Sequence, residues 1–243
     1  MRKKTRQKSR RTISQAAQQT APQASPIPCQ IYLITPPTIG DLDAFADLLT
    51  HVLAAVPIGC LQVRLKDTPR KRIVEIAERL LPVTQAHATA LIINDDPQIA
   101  AEVGADGVHL GQSDLRSMDI KSAQEMLTSG SIIGVTCHNS KDLAFKAGSD
   151  GAHYVAFGSF FESRTKPDAS PADLEHLTWW HETMEIPSVA IGGITVDNAK
   201  AVIAAGADFI ALSSGVWDYK KGPTQAVKLL SALCARYTRP PLV

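Results

Sequence analysis

The chain has 243 residues, with 25 Lys and Arg against 24 Asp and Glu and 44% hydrophobic residues, the profile of one globular domain or two small ones. Its formal net charge of +1 conceals a split: residues 1–30 hold seven bases (Arg2, Lys3, Lys4, Arg6, Lys8, Arg10, Arg11) and no acid, so the other 18 bases and 24 acids leave the body at −6. A basic nucleic-acid-binding globule is thereby excluded, and so are a membrane span, for want of roughly 18 to 20 consecutive apolar residues, and a secretory signal, for want of an apolar stretch after the basic start.

Residues 1–28 are rich in Lys, Arg, Gln, Ser, Ala and Pro and are expected to be a disordered basic tail, because they cannot bury enough apolar surface to offset the entropy of ordering. A nucleic-acid or membrane-surface tether and an organelle transit peptide are alternatives for this tail; a solvated leader without a specific task is preferred. From residue 29 onward the pattern is that of a single domain, 29–243. Apolar runs occur at Ile31–Thr35, Cys60–Lys66, Ala90–Asn94, Gly107–Gly111, Ile132–Thr136, His153–Phe160, Ser188–Gly192 and Phe209–Ser213. Between them lie stretches of helical periodicity. One follows Asp41, one follows Thr68-Pro69, and others begin near Pro97, Met118, Ser140, Pro171, Thr195 and Pro223, with Gly104, Gly148 and Gly206 as closing glycines. Nearly continuous apolar strands alternating with helices predict an α/β fold, a (β/α)8 TIM barrel close to the minimum size. An open doubly wound sheet is the runner-up, but no Gly-x-Gly-x-x-Gly follows the first run.

In such a barrel, chemistry collects at the carboxyl ends of the strands. Gln62, Arg64 and Lys66 alternate with Leu61, Val63 and Leu65, which sends the polar three to one face. If that face is the interior, two cations and an amide point at the mouth and call for a strongly anionic ligand. The third run ends Asn94-Asp95-Asp96, and the fourth is followed by Gly111-Gln112-Ser113-Asp114. Asp95 and Asp114 beside these cations suit Mg²⁺ shared with a phosphate, whereas Asp96 suits a helix start. A paired acid/base role for the two carboxylates is the other option. Thr136, Cys137 and His138 end the fifth run; Cys137 is expected to pack rather than react, and His138 is either an acid/base group or a cap. Hydroxyls and Lys166 on the loop Gly158–Lys166, Gly192-Gly193 after the seventh run and Ser213-Ser214-Gly215 after the eighth suit phosphate, the glycines serving tight packing as well. Trp179 and Trp180 are expected in the core or at an interface. The four cysteines Cys29, Cys60, Cys137 and Cys234 form no Cys-x-x-Cys pair, which fits a reducing cytoplasm.

The series Leu61-Gln62-Val63-Arg64-Leu65-Lys66, Ile93-Asn94-Asp95, Ala105 to Asp114, Ser163-Arg164-Thr165-Lys166 and Ala190-Ile191-Gly192-Gly193-Ile194 resembles the thiamine phosphate synthase family, from about Ile31 to Trp217. The resemblance implies a Mg²⁺-dependent transferase that joins a pyrimidine diphosphate to a thiazole phosphate, or to its carboxylated tautomer, by a dissociative route. It implies that Gln62, Arg64, Lys66, Asn94, Thr136 and Lys166 bind the pyrimidine substrate, with Arg64, Lys66 and Lys166 stabilising the departing diphosphate. Asp95 and Asp114 would hold Mg²⁺. Ser163, Thr165, Gly193, Ser213 and Ser214 would bind the thiazole phosphate. The sequence departs from the family's commonest pattern at Leu65, where Glu is usual, and at Ser159 and Glu162, where Pro is usual. The implied partners are small phosphorylated molecules; neither membrane nor nucleic acid is expected, and a homo-oligomer is allowed for. A related thiazole tautomerase, with a His at the position of His138, and a non-catalytic binder of a thiamine precursor are the alternatives.

Overall fold

The computed structural model describes residues 28–162 and 172–237. The tail 1–27 lies outside the described residues, as do Ser163, Thr165, Lys166 and the helix start expected at Pro171. Eight parallel strands close into a barrel in sequence order: β1 (Gln30–Ile34), β2 (Cys60–Val63), β3 (Ala90–Asn94), β4 (Gly107–Leu110), β5 (Ile132–His138), β6 (Tyr154–Phe157), β7 (Ser188–Ile191) and β8 (Phe209–Leu212). Around it run α1 (Leu42–Ala55), α2 (Arg70–Ala86), α3 (Pro97–Val103), α4 (Ile120–Met126), α5 (Lys141–Ser149), α6 (Leu174–Thr183), α7 (Ala199–Ala204), α8 (Ser214–Trp217) and α9 (Pro223–Tyr237). The closed TIM barrel replaces the doubly wound runner-up. Among the described residues no helix is long and apolar enough to cross a membrane.

The pleat sorts the strand side chains into two layers. Ile31, Leu33, Leu61, Val63, Leu91, Ile93, Ile133 and Val135 face the helices, whereas Tyr32, Ile34, Cys60, Ile92, Tyr154, Ala156, Val189 and Ala211 fill the interior. Period two on β2 therefore puts Gln62 in the interior with Cys60, and Leu65 in the outer layer. The lower rim is clamped by a repeated device. At the head of β4, β6 and β8 a side chain takes the N–H of the preceding strand: Asp106 from Leu91 at 2.7 Å, His153 from Ile133 at 3.0 Å, and Asp208 from Ser188 at 2.8 Å.

Several boundaries move from the sequence expectation, each for a local reason. The β2 ladder ends at Val63, so Arg64 and Lys66 stand beyond the strand at the rim. The start of α2 has no side-chain cap: the Thr68 hydroxyl donates to the Lys66 carbonyl, and Pro69 starts the helix through its fixed φ of −57°. Asp173 caps α6 and Asp119 caps α4, each carboxylate accepting a first-turn N–H. The turn after Thr195 delays α7 to Ala199, because the Asn198 side chain accepts the Thr195 N–H. Gly148 lies inside α5 rather than closing it, while Gly104 does close α3 in the left-handed conformation at φ 70°.

Gly134, in the middle of β5, is required by a close approach. A β-carbon there would lie 1.8 Å from Cζ of Tyr154, whose ring occupies the space. Gly134→Ala should therefore cost about 1–3 kcal/mol through overpacking, seen as a lower urea midpoint; an unchanged midpoint would show that the ring moves freely.

Candidate active site

The mouth is built first from β2. Gln62 is buried and Arg64 half-buried. Thr35, at the end of β1, secures the Arg64 backbone on both sides: its Oγ1 accepts the Arg64 N–H at 3.0 Å and donates to the Arg64 carbonyl at 3.3 Å. Lys66 reaches Asp95, Nζ to Oδ2 at 3.2 Å, with 60% of its side chain exposed. An ion pair so exposed is worth about 0–1 kcal/mol, so Lys66 is readily given up to an anion.

Asp95 stands just past β3 at φ 67°, a left-handed conformation unusual for a residue with a side chain, and its N–H donates to the His109 carbonyl at 2.8 Å. Asp96 caps α3 as expected, accepting from Gln98 and Ile99 at 2.9 and 3.0 Å. Asp114 Oδ2 accepts the Gly111 N–H at 2.8 Å and opens a single 3₁₀ turn. Partial burial pushes the Asp114 carboxyl up, and the neighbouring Asp95 carboxylate adds to this. Two neighbouring carboxylates, offering only oxygen donors, match the one or two carboxylates Mg²⁺ takes. Among the described residues no cluster of three His, Cys, Asp or Glu occurs. A cleft of about 200 Å³ opens beside Lys66, Asn94 and Asp95.

Behind the mouth lies a feature the sequence reading missed. Thr136 Oγ1 meets His109 Nε2 at 2.7 Å, His109 Nδ1 meets the Tyr154 hydroxyl at 2.9 Å, and that hydroxyl meets Tyr32 at 2.8 Å. A histidine at the centre of an otherwise apolar β4 and a glycine at the centre of β5 were the available signals. Gln112 Nε2 donates to the Thr136 carbonyl at 2.6 Å and ties the β4 loop to β5.

On the opposite side, Gly193 at φ 64° packs so closely that a β-carbon would lie 2.4 Å from the Glu162 carbonyl oxygen, and Gly192 faces Ser159 in the same way. The glycine pair thus joins the β6 and β7 loops, with Phe160 and Phe161 N–H donating to Ile191 and Gly192 at 3.1 Å. Ser213 gives its hydroxyl proton to the Thr35 carbonyl at 2.9 Å, and Ser214 is exposed at the start of α8. His138 is exposed at φ 51°, and the cap of α5 is Ser140, not His138. Cys137 is packed in the outer core, where burial pushes its thiol up to about 12, which makes it inert as expected. Trp180 is fully buried and donates to Ile186, while Trp179 carries the Lys141 ammonium 4.6 Å above its ring. The structure therefore gathers Gln62, Arg64, Lys66, Asn94, Asp95, Asp114, Thr136 and the glycine pair around one opening.

Burial lowers the His109 pKa from 6.5 to about 4, with Asp95 opposing and Arg64 assisting. Between those values the unfolded chain holds the extra proton, so stability is full above pH 6.5 and falls as the pH drops toward 4. The loss should be on the order of 3 kcal/mol, read as a falling urea midpoint, and His109→Gln should flatten that part of the profile.

Comparison with known proteins gives the same placement. A family model described as thiamine monophosphate synthase matches residues 31–216. The thiamine-phosphate synthase of Rhodospirillum centenum is 49% identical over 199 residues, 82% of this chain and 94% of that protein. That of Hyphomonas neptunium is 45% identical over 208 residues, 84% and 93% of the two chains. The solved thiamine phosphate pyrophosphorylase from Pyrococcus furiosus superimposes with a TM-score of 0.74 at 31% identity, covering 86% of this chain and 96% of that one. Fold alone is shared with 3-hexulose-6-phosphate synthase from Salmonella typhimurium, at a TM-score of 0.64 and 14% identity. With its barrel, its cationic β2 rim and its paired carboxylates, the chain belongs to the thiamine monophosphate synthase family of enzymes.

Proposed function

We propose that the chain joins 4-amino-5-hydroxymethyl-2-methylpyrimidine diphosphate to a thiazole phosphate, or to its carboxylated form, and releases diphosphate with Mg²⁺ as cofactor. The observation that carries this reading is the meeting of Lys66 with Asp95 and Asp114 at the mouth, next to Arg64, whose backbone Thr35 holds on the same rim. Cations alone would suit any phosphate ester, and carboxylates alone would repel one. The combination suits a diphosphate shared between basic side chains and a dication.

Asp95 and Asp114 would hold Mg²⁺, whose charge offsets that of a diphosphate oxygen. Gln62, Asn94 and Thr136 orient the pyrimidine ring. When the methylene C–O bond breaks, the electron pair leaves with diphosphate, and Arg64, Lys66 and Lys166 stabilise that charge. The pyrimidine methylene is left cationic, and the thiazole nitrogen supplies the pair for the new C–N bond. Positioning of the two substrates does the rest, and no protein nucleophile is needed. For the thiazole phosphate, the family resemblance supports Ser163, Thr165, Gly193, Ser213 and Ser214. Because the Ser213 hydroxyl proton is spent on Thr35, Ser213 would meet the phosphate through its backbone.

A second reading, thiazole tautomerase, is favoured only by the exposed His138 at the end of β5. One assay separates them. With both substrates and Mg²⁺ the full-length chain should release diphosphate, and EDTA should abolish it; metal-independent isomerisation of the carboxythiazole phosphate without diphosphate release would establish the tautomerase instead. Arg64→Ala should lower turnover on the order of 10²- to 10³-fold by removing a donor to the leaving group. Asp114→Ala should lower turnover comparably while leaving the circular dichroism spectrum unchanged, and near-normal turnover would remove Asp114 from the metal site.

A further inference from the structure

The interior beneath the mouth is not closed by apolar groups alone. Tyr32 from β1, Tyr154 from β6, His109 from β4 and Thr136 from β5 form one unbroken chain of hydrogen bonds at 2.8, 2.9 and 2.7 Å. Tyr32, His109 and Tyr154 are only 3, 6 and 7% exposed, whereas Thr136 is partly open to the mouth. The rings are also fixed by packing: His109 lies nearly parallel to Tyr154 at 5.6 Å and 22°, and Tyr32 meets it edge-on at 5.9 Å and 73°. Phenylalanines would fill the same volume without the cost of burying two hydroxyls, so the hydroxyls call for an explanation beyond packing.

A neutral imidazole has one donor and one acceptor nitrogen, so proton order runs one way along such a chain. Thr136 must then spend either its proton or a lone pair on His109, and the other is presented to the mouth. The bond also holds the Thr136 side chain in a single rotamer. We propose that Tyr32 and Tyr154, acting through His109, are positioning residues that fix the rotamer and hydrogen-bond polarity of Thr136 for the pyrimidine ring of the substrate. This rests on the synthase reading above.

The test is a double-mutant cycle on the full-length chain. Tyr154→Phe removes only a hydroxyl and should raise the KM for the pyrimidine diphosphate about tenfold, the loss of one buried hydrogen bond, with kcat and the KM for thiazole phosphate within about twofold. Thr136→Val should cost about as much, and the two together no more than either alone, because both break the same chain. Tyr32→Phe, at the far end, should give a smaller rise of about threefold; it serves in the same cycle should the Tyr154 substitution unfold the barrel. A purely structural role would instead multiply the costs to about 100-fold in the double variant or change kcat and both KM values alike. Either result overturns the proposal, as does an unchanged KM in a folded Tyr154→Phe protein. An unsubstituted chain that releases no diphosphate would remove the synthase reading and this proposal together; a chain that couples normally with Tyr154→Phe indistinguishable from it removes the proposal alone.

Discussion

Closure of the sheet between β8 and β1 is the constraint from which the site follows. The seam is sealed by its ladder from Gln30 and Phe209 to Leu33 and Leu212, and then at the rim by side chains. Ser213 donates to the Thr35 carbonyl and the Trp217 indole to the Ile34 carbonyl at 2.9 and 2.7 Å. With no free edge, alternate side chains of β2 can point only to the helices or to the interior. Gln62 and Arg64 take the interior, and a charge there is tolerable only near the open end, where water or an anion can meet it. Thr35 then joins closure to chemistry, since the residue that receives the seam bond also holds the Arg64 backbone.

The mouth is the least comfortable part of the molecule, and the core offsets it. Asp67, Asp95 and His138, at or just beyond the ends of β2, β3 and β5, have φ of 55°, 67° and 51°. Such conformations cost of order 1–3 kcal/mol each for residues with side chains and cluster where function demands a particular aim. Asp114 is held against burial and a second carboxylate. Beneath this rim, fully buried Leu33, Leu61, Leu91, Ile93 and Val155 each contribute about 1.5–3 kcal/mol by leaving water. The mouth thus carries both unusual backbone conformations and like charge.

The eight apolar runs were legible because strands buried on both sides need no polar alternation, and each lies within a few residues of an observed strand. The Asp41, Asp96 and Ser140 starts were legible because a capping side chain acts on its own helix. Boundaries drifted where the deciding partner was remote or unusual. The β2 ladder stops at Val63 because pairing with β3 stops at Ile93, and α7 starts late because Asn198 holds Thr195 and Gly193 in a turn.

The sequence by itself determined the alternation of strand and helix, the polar face of β2 and the inventory of carboxylates, amides and hydroxyls, because these depend on local periodicity and residue type. Tertiary structure alone decided that Lys66 meets Asp95, that Asp95 and Asp114 press on each other, and that His109 is neutral and linked to Thr136, Tyr154 and Tyr32. The members of each of these contacts are separated by 19 to 122 positions along the chain. Periodicity assigns a residue to a face but not to a partner, and partners across a barrel are set by strand register and closure.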